Sequence, residues 1–106
     1  MSKAKPRHLP IEVESELVSA LKKRYSGRTV NVYRINLDVF SQYLALSYKK
    51  INEAAFSDIV EFLDNLKIKG RSSQTRNQYL AALRFYYNEV KGCKFPFENY
   101  RITRDY

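Results

Sequence analysis

Apolar residues recur every three or four positions along four stretches of the chain, with polar residues between them. This spacing places the apolar side chains of each stretch on one face of an α-helix. The predicted helices run from about residue 11 to 24, 26–29 to 47, 54 to 67 and 72–73 to 90. Their inward positions are Val13, Leu17, Leu21 and Tyr25; Val30, Tyr33, Leu37, Phe40 and Leu44; Ile59, Phe62, Leu63 and Leu66; and Leu80, Leu83, Tyr87 and Val90. No stretch has the alternation of a β-strand, so we expect an all-α fold.

Glycines mark the predicted helix ends. Gly27, Gly70 and Gly92 each stand shortly after a basic residue, an order typical of a helix that ends in a left-handed glycine. The three prolines lie outside the helices, and the less periodic segment 93–106 is expected to hold a short helical turn.

The polar residues of two helices predict an exposed acidic face and an ion pair. Asp58, Glu61 and Asp64 are expected to form an exposed acidic face on the third helix, and solvation explains such a face better than paired acid–base catalysis. On the second helix, Arg34 is expected to pair with Asp38 four residues on.

The chain has 106 residues, which allows one small domain, and its formal net charge is +8. Residues 1–28 and residues 71–106 each carry a net charge of +4, whereas residues 29–70 are neutral. Two separated basic segments favour a polyanionic partner such as nucleic acid. A surface that is basic only for solubility remains the alternative, and membrane-surface binding is a minor one.

The scarcity of cysteine and histidine disfavours several classes of protein. With one cysteine, Cys93, and one histidine, His8, the sequence predicts no internal disulfide, no metal site and no cofactor. No apolar run reaches the roughly 18 residues that a membrane span needs. We therefore expect a soluble, cytoplasmic protein that does not contact membranes.

Two segments place hydroxyl and basic residues at the start of a long helix, Ser26–Thr29 and Arg71–Asn77. Free backbone N–H groups, hydroxyls and arginines together can hold a phosphate, and amide side chains one turn on can reach base edges. Taken singly, each segment is better explained by ordinary N-capping by Ser26, Ser72 or Ser73, but two such segments with surplus arginine shift that balance.

The order of motifs from about Leu17 to Asn99 resembles the core-binding domain of phage-type integrases, the tyrosine recombinases. The motifs are Ser26-x-x-Thr29-x-x-x-Tyr33-x-x-x-Leu37-x-x-Phe40-x-x-Tyr43-Leu44, Asp58-Ile59-x-x-Phe62-Leu63-x-x-Leu66-x-x-x-Gly70-x-Ser72, and Thr75-x-Asn77-x-x-Leu80-x-Ala82-Leu83-Arg84. The resemblance implies a SAM-like compact bundle of four to five helices that forms the N-terminal half of a clamp on double-stranded recombination-site DNA.

The resemblance also implies a division of the chain. Residues 1–10 would be a flexible basic arm, residues 11–100 the helical DNA-binding domain, and residues 101–106 the start of a linker to a separate catalytic domain. We expect this chain to be non-catalytic and monomeric, and the whole prokaryotic or phage recombinase to act as a tetramer on DNA. The implied DNA-facing positions are Arg28, Thr29, Arg71, Ser72, Ser73, Thr75, Arg76, Asn77 and Arg84.

Three alternatives stay open at this point. Five of the nine tyrosines have helical spacing and are interpreted as core or groove-lining residues rather than nucleophiles: Tyr33, Tyr43, Tyr79, Tyr86 and Tyr87. Arg84 is equally well explained as a solvated or internally paired arginine. A basic helical module that binds an acidic protein partner is the alternative function.

Overall fold

Four α-helices form the framework of the computed structural model, which describes residues 9–100 and residue 102. They are α1 (Ile11–Lys22), α2 (Gly27–Ala45), α3 (Phe56–Ile68) and α4 (Ser73–Arg84). The helix of α4 continues as a π-helical segment, Phe85–Val90, and single 3₁₀ turns lie at Ile51–Glu53 and Phe97–Asn99. The described residues include no strand, so the predicted all-α class is confirmed.

The helix ends follow the glycine prediction at two of three positions. Gly70 and Gly92 have φ angles of 84° and 69°, the left-handed conformation in which a helix commonly ends. Gly27 was predicted to be the third such residue, and this is wrong. It is the first residue of α2, and α1 instead ends at Lys22, with Lys23 as its cap in a right-handed conformation.

The core consists mainly of the predicted inward positions. Val13, Leu17 and Leu21 of α1 are buried, whereas Tyr25, predicted on the same stripe, is 37% exposed. Leu9, which the sequence assigned to a flexible arm, is buried, and its N–H donates to the Asp38 Oδ1 at 3.0 Å. The packed part of the chain therefore includes Leu9, whereas residues 1–8 of the predicted arm lie outside the described residues.

The π-helical segment places three consecutive aromatic residues, Phe85, Tyr86 and Tyr87, in the core. The Tyr87 hydroxyl donates to the Ile51 carbonyl at 2.8 Å, and burial raises the pKa of Tyr87 well above its ordinary value. The Tyr86 hydroxyl has no hydrogen-bond partner among the described residues, and burial raises its pKa to about 12. Both tyrosines are therefore core residues, as predicted from their helical spacing.

Asp58 does not lie on the exposed acidic face predicted for α3, because its side chain caps the start of that helix. Its residue is only 8% exposed, and its carboxylate accepts from the Ala55 N–H and the Lys49 Nζ, each at 2.8 Å. Free N–H groups at a helix start are natural donors to a carboxylate. Only Glu61 and Asp64 of the predicted trio are exposed.

This cap predicts a pH-dependent contribution to stability. Burial raises the pKa of the Asp58 carboxyl, but the hydrogen bonds from Lys49 and from the Ala55 N–H lower it more, so the pKa falls below 3.8. Asp58→Ala should lower the free energy of unfolding at pH 7 by about 1–2 kcal/mol, because a helix cap and a buried acceptor are lost. Urea unfolding of the variant and the wild type would measure the difference.

The substitution Asp58→Asn tests how much the negative charge of Asp58 contributes to stability, because asparagine keeps the shape of the side chain without the charge. Because the folded-state pKa is lowered, ionised Asp58 stabilises the protein above the unfolded pKa, and this contribution disappears as the pH falls through the folded pKa. The stability difference between Asp58→Asn and the wild type should therefore shrink below about pH 4. An equal difference at pH 7 and pH 2.5 would contradict this assignment.

Candidate nucleic-acid interface

The starts of α2 and α4, where the sequence predicted phosphate-binding segments, differ in how they are capped. The Ser72 Oγ accepts from the Thr75 N–H at 3.2 Å, so the capping interpretation holds at α4. Ser26 occupies the cap position of α2 but makes no capping hydrogen bond with its side chain. The start of α2 therefore keeps unpaired backbone donors at its surface.

A groove of about 570 Å³ separates the start of α2 from the first half of α4, and we call it the α2–α4 groove. Its lining residues are Arg28, Thr29, Val32, Tyr33, Gln74, Asn77, Gln78 and Ala81. It brings Arg28 and Thr29, predicted at one helix start, together with Asn77, predicted at the other. None of its lining residues is a carboxylate, and α3 with its exposed Glu61 and Asp64 contributes nothing to it.

The α2–α4 groove also includes two amides that the sequence-based site left out, Gln74 and Gln78. Both are exposed, and with Asn77 they occupy one side of α4 at spacings of three and four residues. That helical spacing is a signal in the sequence, and it would have identified them once one residue of the face was known.

A smaller pocket of about 230 Å³ continues from the α2–α4 groove, with which it shares Tyr33 and Ala81, and we call it the arginine pocket. Its other lining residues are Arg24, Tyr25, Arg84, Phe85 and Glu89. Arg84 is exposed and makes no ion pair within the described part of the chain, which leaves it solvated rather than internally paired. The pocket extends the predicted surface to the end of α1.

Aromatic rings and charged side chains surround Tyr33, which lines both cavities. The Tyr33 ring lies 5.7 Å from that of Tyr25 and 6.1 Å from that of Phe85. Burial raises the pKa of Tyr33, and the neighbouring Tyr25 raises it further. The nearby charges of Arg24 and Arg84 oppose this shift. Tyr33 therefore stays protonated at neutral pH and can donate a hydrogen bond into the groove.

Arg71 and Thr75 lie in a different cavity, a groove of about 590 Å³ that we call the α2–α3 groove. Its lining residues are Val39, Gln42, Tyr43, Leu46, Phe62, Asn65, Leu66, Lys69, Arg71, Thr75 and Tyr79. The predicted segment at the start of α4 is thus divided between two cavities, with Gln74 and Asn77 in one and Arg71 and Thr75 in the other. Tyr43 and Tyr79 line this groove, as predicted.

Arg76 is buried, although the sequence placed it with the DNA-facing residues. It is 4% exposed, and its Nε donates to the Arg71 carbonyl at 3.2 Å. The Tyr100 hydroxyl donates to the Asp64 Oδ1 at 3.2 Å, and burial and Asp64 raise the pKa of Tyr100 while the nearby charge of Arg76 opposes this, so Arg76 lies on the α3 side of the helix. This placement favours a structural role, and a contribution to binding stays a prediction.

The remaining polar positions have local partners. The Asn77 Nδ2 donates to the Ser73 carbonyl at 3.0 Å, and Ser73 itself is half-buried. The expected pair between Arg34 and Asp38 is wrong. Arg34 contacts Asn31 and lies 3.8 Å from Glu14, because the carboxylate of Asp38 is engaged by the Leu9 N–H and by Gln42.

Two structural features are absent from the described residues, a membrane-spanning helix and a cluster of metal ligands. No helix there is both long enough and apolar enough to span a bilayer. No three side chains of His, Cys, Asp or Glu come together there as they would around a metal ion. Cys93 is exposed and unbonded.

One comparison with known proteins gives a match. The model of the family described as the phage integrase N-terminal SAM-like domain matches residues 18–91 of this chain. No curated protein and no solved structure matches it. The match begins within α1 and spans all of α2, α3 and α4, together with the whole π-helical segment.

Proposed function

Because the chain belongs to the family of the phage integrase N-terminal SAM-like domain, we propose that it binds the recombination-site DNA of a tyrosine recombinase. Family membership implies a role in such an enzyme. The proposal adds that the chain contacts duplex DNA directly, as one half of a clamp. In the proposed division of labour the chain supplies binding, and the strand cleavage takes place elsewhere in the recombinase.

The observation that best supports this proposal is the composition of the α2–α4 groove. It combines a cation and a helix start, Arg28 and Thr29, with a row of amides on α4. Cations and helix starts bind phosphates, whereas amides can form paired hydrogen bonds with base edges, of adenine in particular. A groove without carboxylates adds no repulsion toward a polyanion.

Each side chain has a specific task in the proposal. Arg28 and Arg84 bind backbone phosphates at the two ends of the surface, since charged groups on phosphates supply most of the affinity. Gln74, Asn77 and Gln78 face the major groove and contribute sequence preference. On the other side of α4, this surface is flanked by Arg71, Ser72 and Thr75. These residues would contact the adjacent part of the DNA backbone.

An amide NMR titration of the isolated chain with a 20-base-pair duplex at two salt concentrations would test the proposal. We expect salt-sensitive shifts at Arg28, Thr29 and along Gln74–Gln78, with Glu61 and Asp64 silent. If four to six phosphates are bound, log affinity should fall with log salt at a slope of roughly −4 to −5. Absence of shifts, or equal shifts at every lysine and arginine, would overturn the proposal.

A protein-binding function has one observation in its favour, the apolar character of the α2–α3 groove. The rings of Tyr43, Phe62 and Tyr79 lie along it, and Leu46 at its edge is 80% exposed. Apolar surface of this kind commonly marks a protein interface. Shifts confined to this groove on addition of an acidic protein, with none on addition of DNA, would favour that function.

A further inference from the structure

The basic surface extends beyond the positions that the family resemblance implies, because Arg24 at the end of α1 lines the arginine pocket with Arg84. Arg24 lies outside the predicted helix-start segments. It reaches the pocket because α1 ends close to the junction of α4 and the π-helical segment. Sequence alone gives no sign that residues 24 and 84 share a cavity.

The guanidinium of Arg24 is held in place by three neighbours. Its central carbon lies 5.8 Å from the centre of the Tyr25 ring and 5.7 Å from the centre of the Phe85 ring, within the range of cation–π attraction. Its Nη1 donates to the Glu89 Oε1. An arginine held in this way loses little conformational freedom when it binds a second anion.

The contact with Glu89 leaves hydrogen-bonding capacity for a ligand. A guanidinium has five N–H donors, and the bond to Glu89 engages Nη1 alone. Half of the Arg24 side chain is exposed, and so is half of the Glu89 side chain. Exposed ion pairs contribute little to stability, so this pair does not need to persist when a phosphate approaches.

We propose that Arg24 and Arg84 together form a phosphate-binding subsite at the far end of the surface, with Arg24 oriented by Tyr25, Phe85 and Glu89. This inference rests on the proposed DNA-binding function. The ligand is a backbone phosphate of duplex DNA, bound by the two guanidiniums that line the arginine pocket. Glu89 orients Arg24 but also opposes the negative ligand.

Three variants distinguish this subsite from general electrostatic attraction, each measured by fluorescence anisotropy on the 20-base-pair duplex. Arg24→Ala should weaken binding about 8-fold at 0.1 M salt and make the salt slope less steep by about 0.9, as the loss of one phosphate contact requires. Arg24→Lys keeps the charge but loses the planar fork, so it should still weaken binding about 3-fold. The matched control, Lys23→Ala, removes a neighbouring exposed charge that lines neither cavity, so no phosphate contact is lost and affinity should change less than 2-fold.

The outcomes separate the two proposals. If the wild type binds the duplex and Arg24→Ala binds with unchanged affinity and slope, the subsite is wrong and the DNA-binding function stands. Wild-type affinity in Arg24→Lys would also overturn the subsite, because charge alone would suffice. If the wild type itself does not bind, both proposals fail. Glu89→Gln should strengthen binding, and weaker binding would contradict the opposition that we assign to Glu89.

Discussion

Replacing Arg28 and Arg84 together with alanine is expected to weaken duplex binding about 50-fold at 0.1 M salt, the largest effect on function that the structure predicts. The two residues lie at opposite ends of the proposed surface, Arg28 in the α2–α4 groove and Arg84 in the arginine pocket. Each is exposed, so neither loss should disturb the core. Two lost phosphate contacts also make the salt slope less steep by about 1.8, which anisotropy titrations at several salt concentrations would measure.

A double variant with the same loss of charge provides the control. Lys67→Ala with Lys94→Ala removes two exposed cations that line neither the groove nor the pocket. Its affinity should fall less than 3-fold, since charges more than about 10 Å from the ligand are screened at 0.1 M salt. Equal losses in the two double variants would mean that binding follows net charge and that no specific surface exists.

Replacing Arg76 with alanine is expected to lower the free energy of unfolding by about 2–3 kcal/mol, because a buried side chain and its hydrogen bond are lost together. The Arg71 carbonyl would lose the donor that Arg76 supplies across the start of α4. The aliphatic part of the buried arginine would leave a cavity behind it. For a domain of this size the melting temperature should fall by about 10 °C or more, which differential scanning calorimetry would show.

Asn77→Ala is the informative comparison, because residues 76 and 77 are neighbours in the chain with opposite surroundings. Asn77 is exposed in the α2–α4 groove, so its loss should change stability by less than about 0.5 kcal/mol while weakening DNA binding. Arg76→Ala should bind DNA normally at temperatures where it remains folded. If instead Arg76→Ala were fully stable and bound DNA weakly, Arg76 would belong to the interface after all.

The fold was predictable because its information is local. Apolar residues at spacings of three and four identify helices wherever one face is buried, and the core positions of α1, such as Leu17 and Leu21, follow directly from that rule. Left-handed glycines after α3 and after the π-helical segment are equally local signals. The two helix starts that the sequence assigned to one site do contribute to a common groove.

The errors arose where a residue's partner is distant in the sequence or belongs to the backbone. Asp58 has the spacing of an exposed residue, but its acceptor oxygens are needed by a backbone N–H and by Lys49. Arg76 was grouped with surface arginines because nothing in the sequence shows that it turns toward α3. The shared pocket of Arg24 and Arg84 was not predicted for the same reason, since it depends on how α1 packs against the π-helical segment.

The π-helical segment has a consequence for comparing this chain with others by position. Its hydrogen bonds span one residue more than those of an α-helix, which is the geometry of a helix that has accommodated a single inserted residue. Deleting one residue between Phe85 and Val90 would let regular α-helix continue, and the residues beyond would stay on nearly the same face because the wider turn already absorbs the extra residue. A homologous chain one residue shorter here should thus carry the equivalent of Lys91, which pairs with Glu16, on the same face. Alignments across this region should therefore place their gap within this segment.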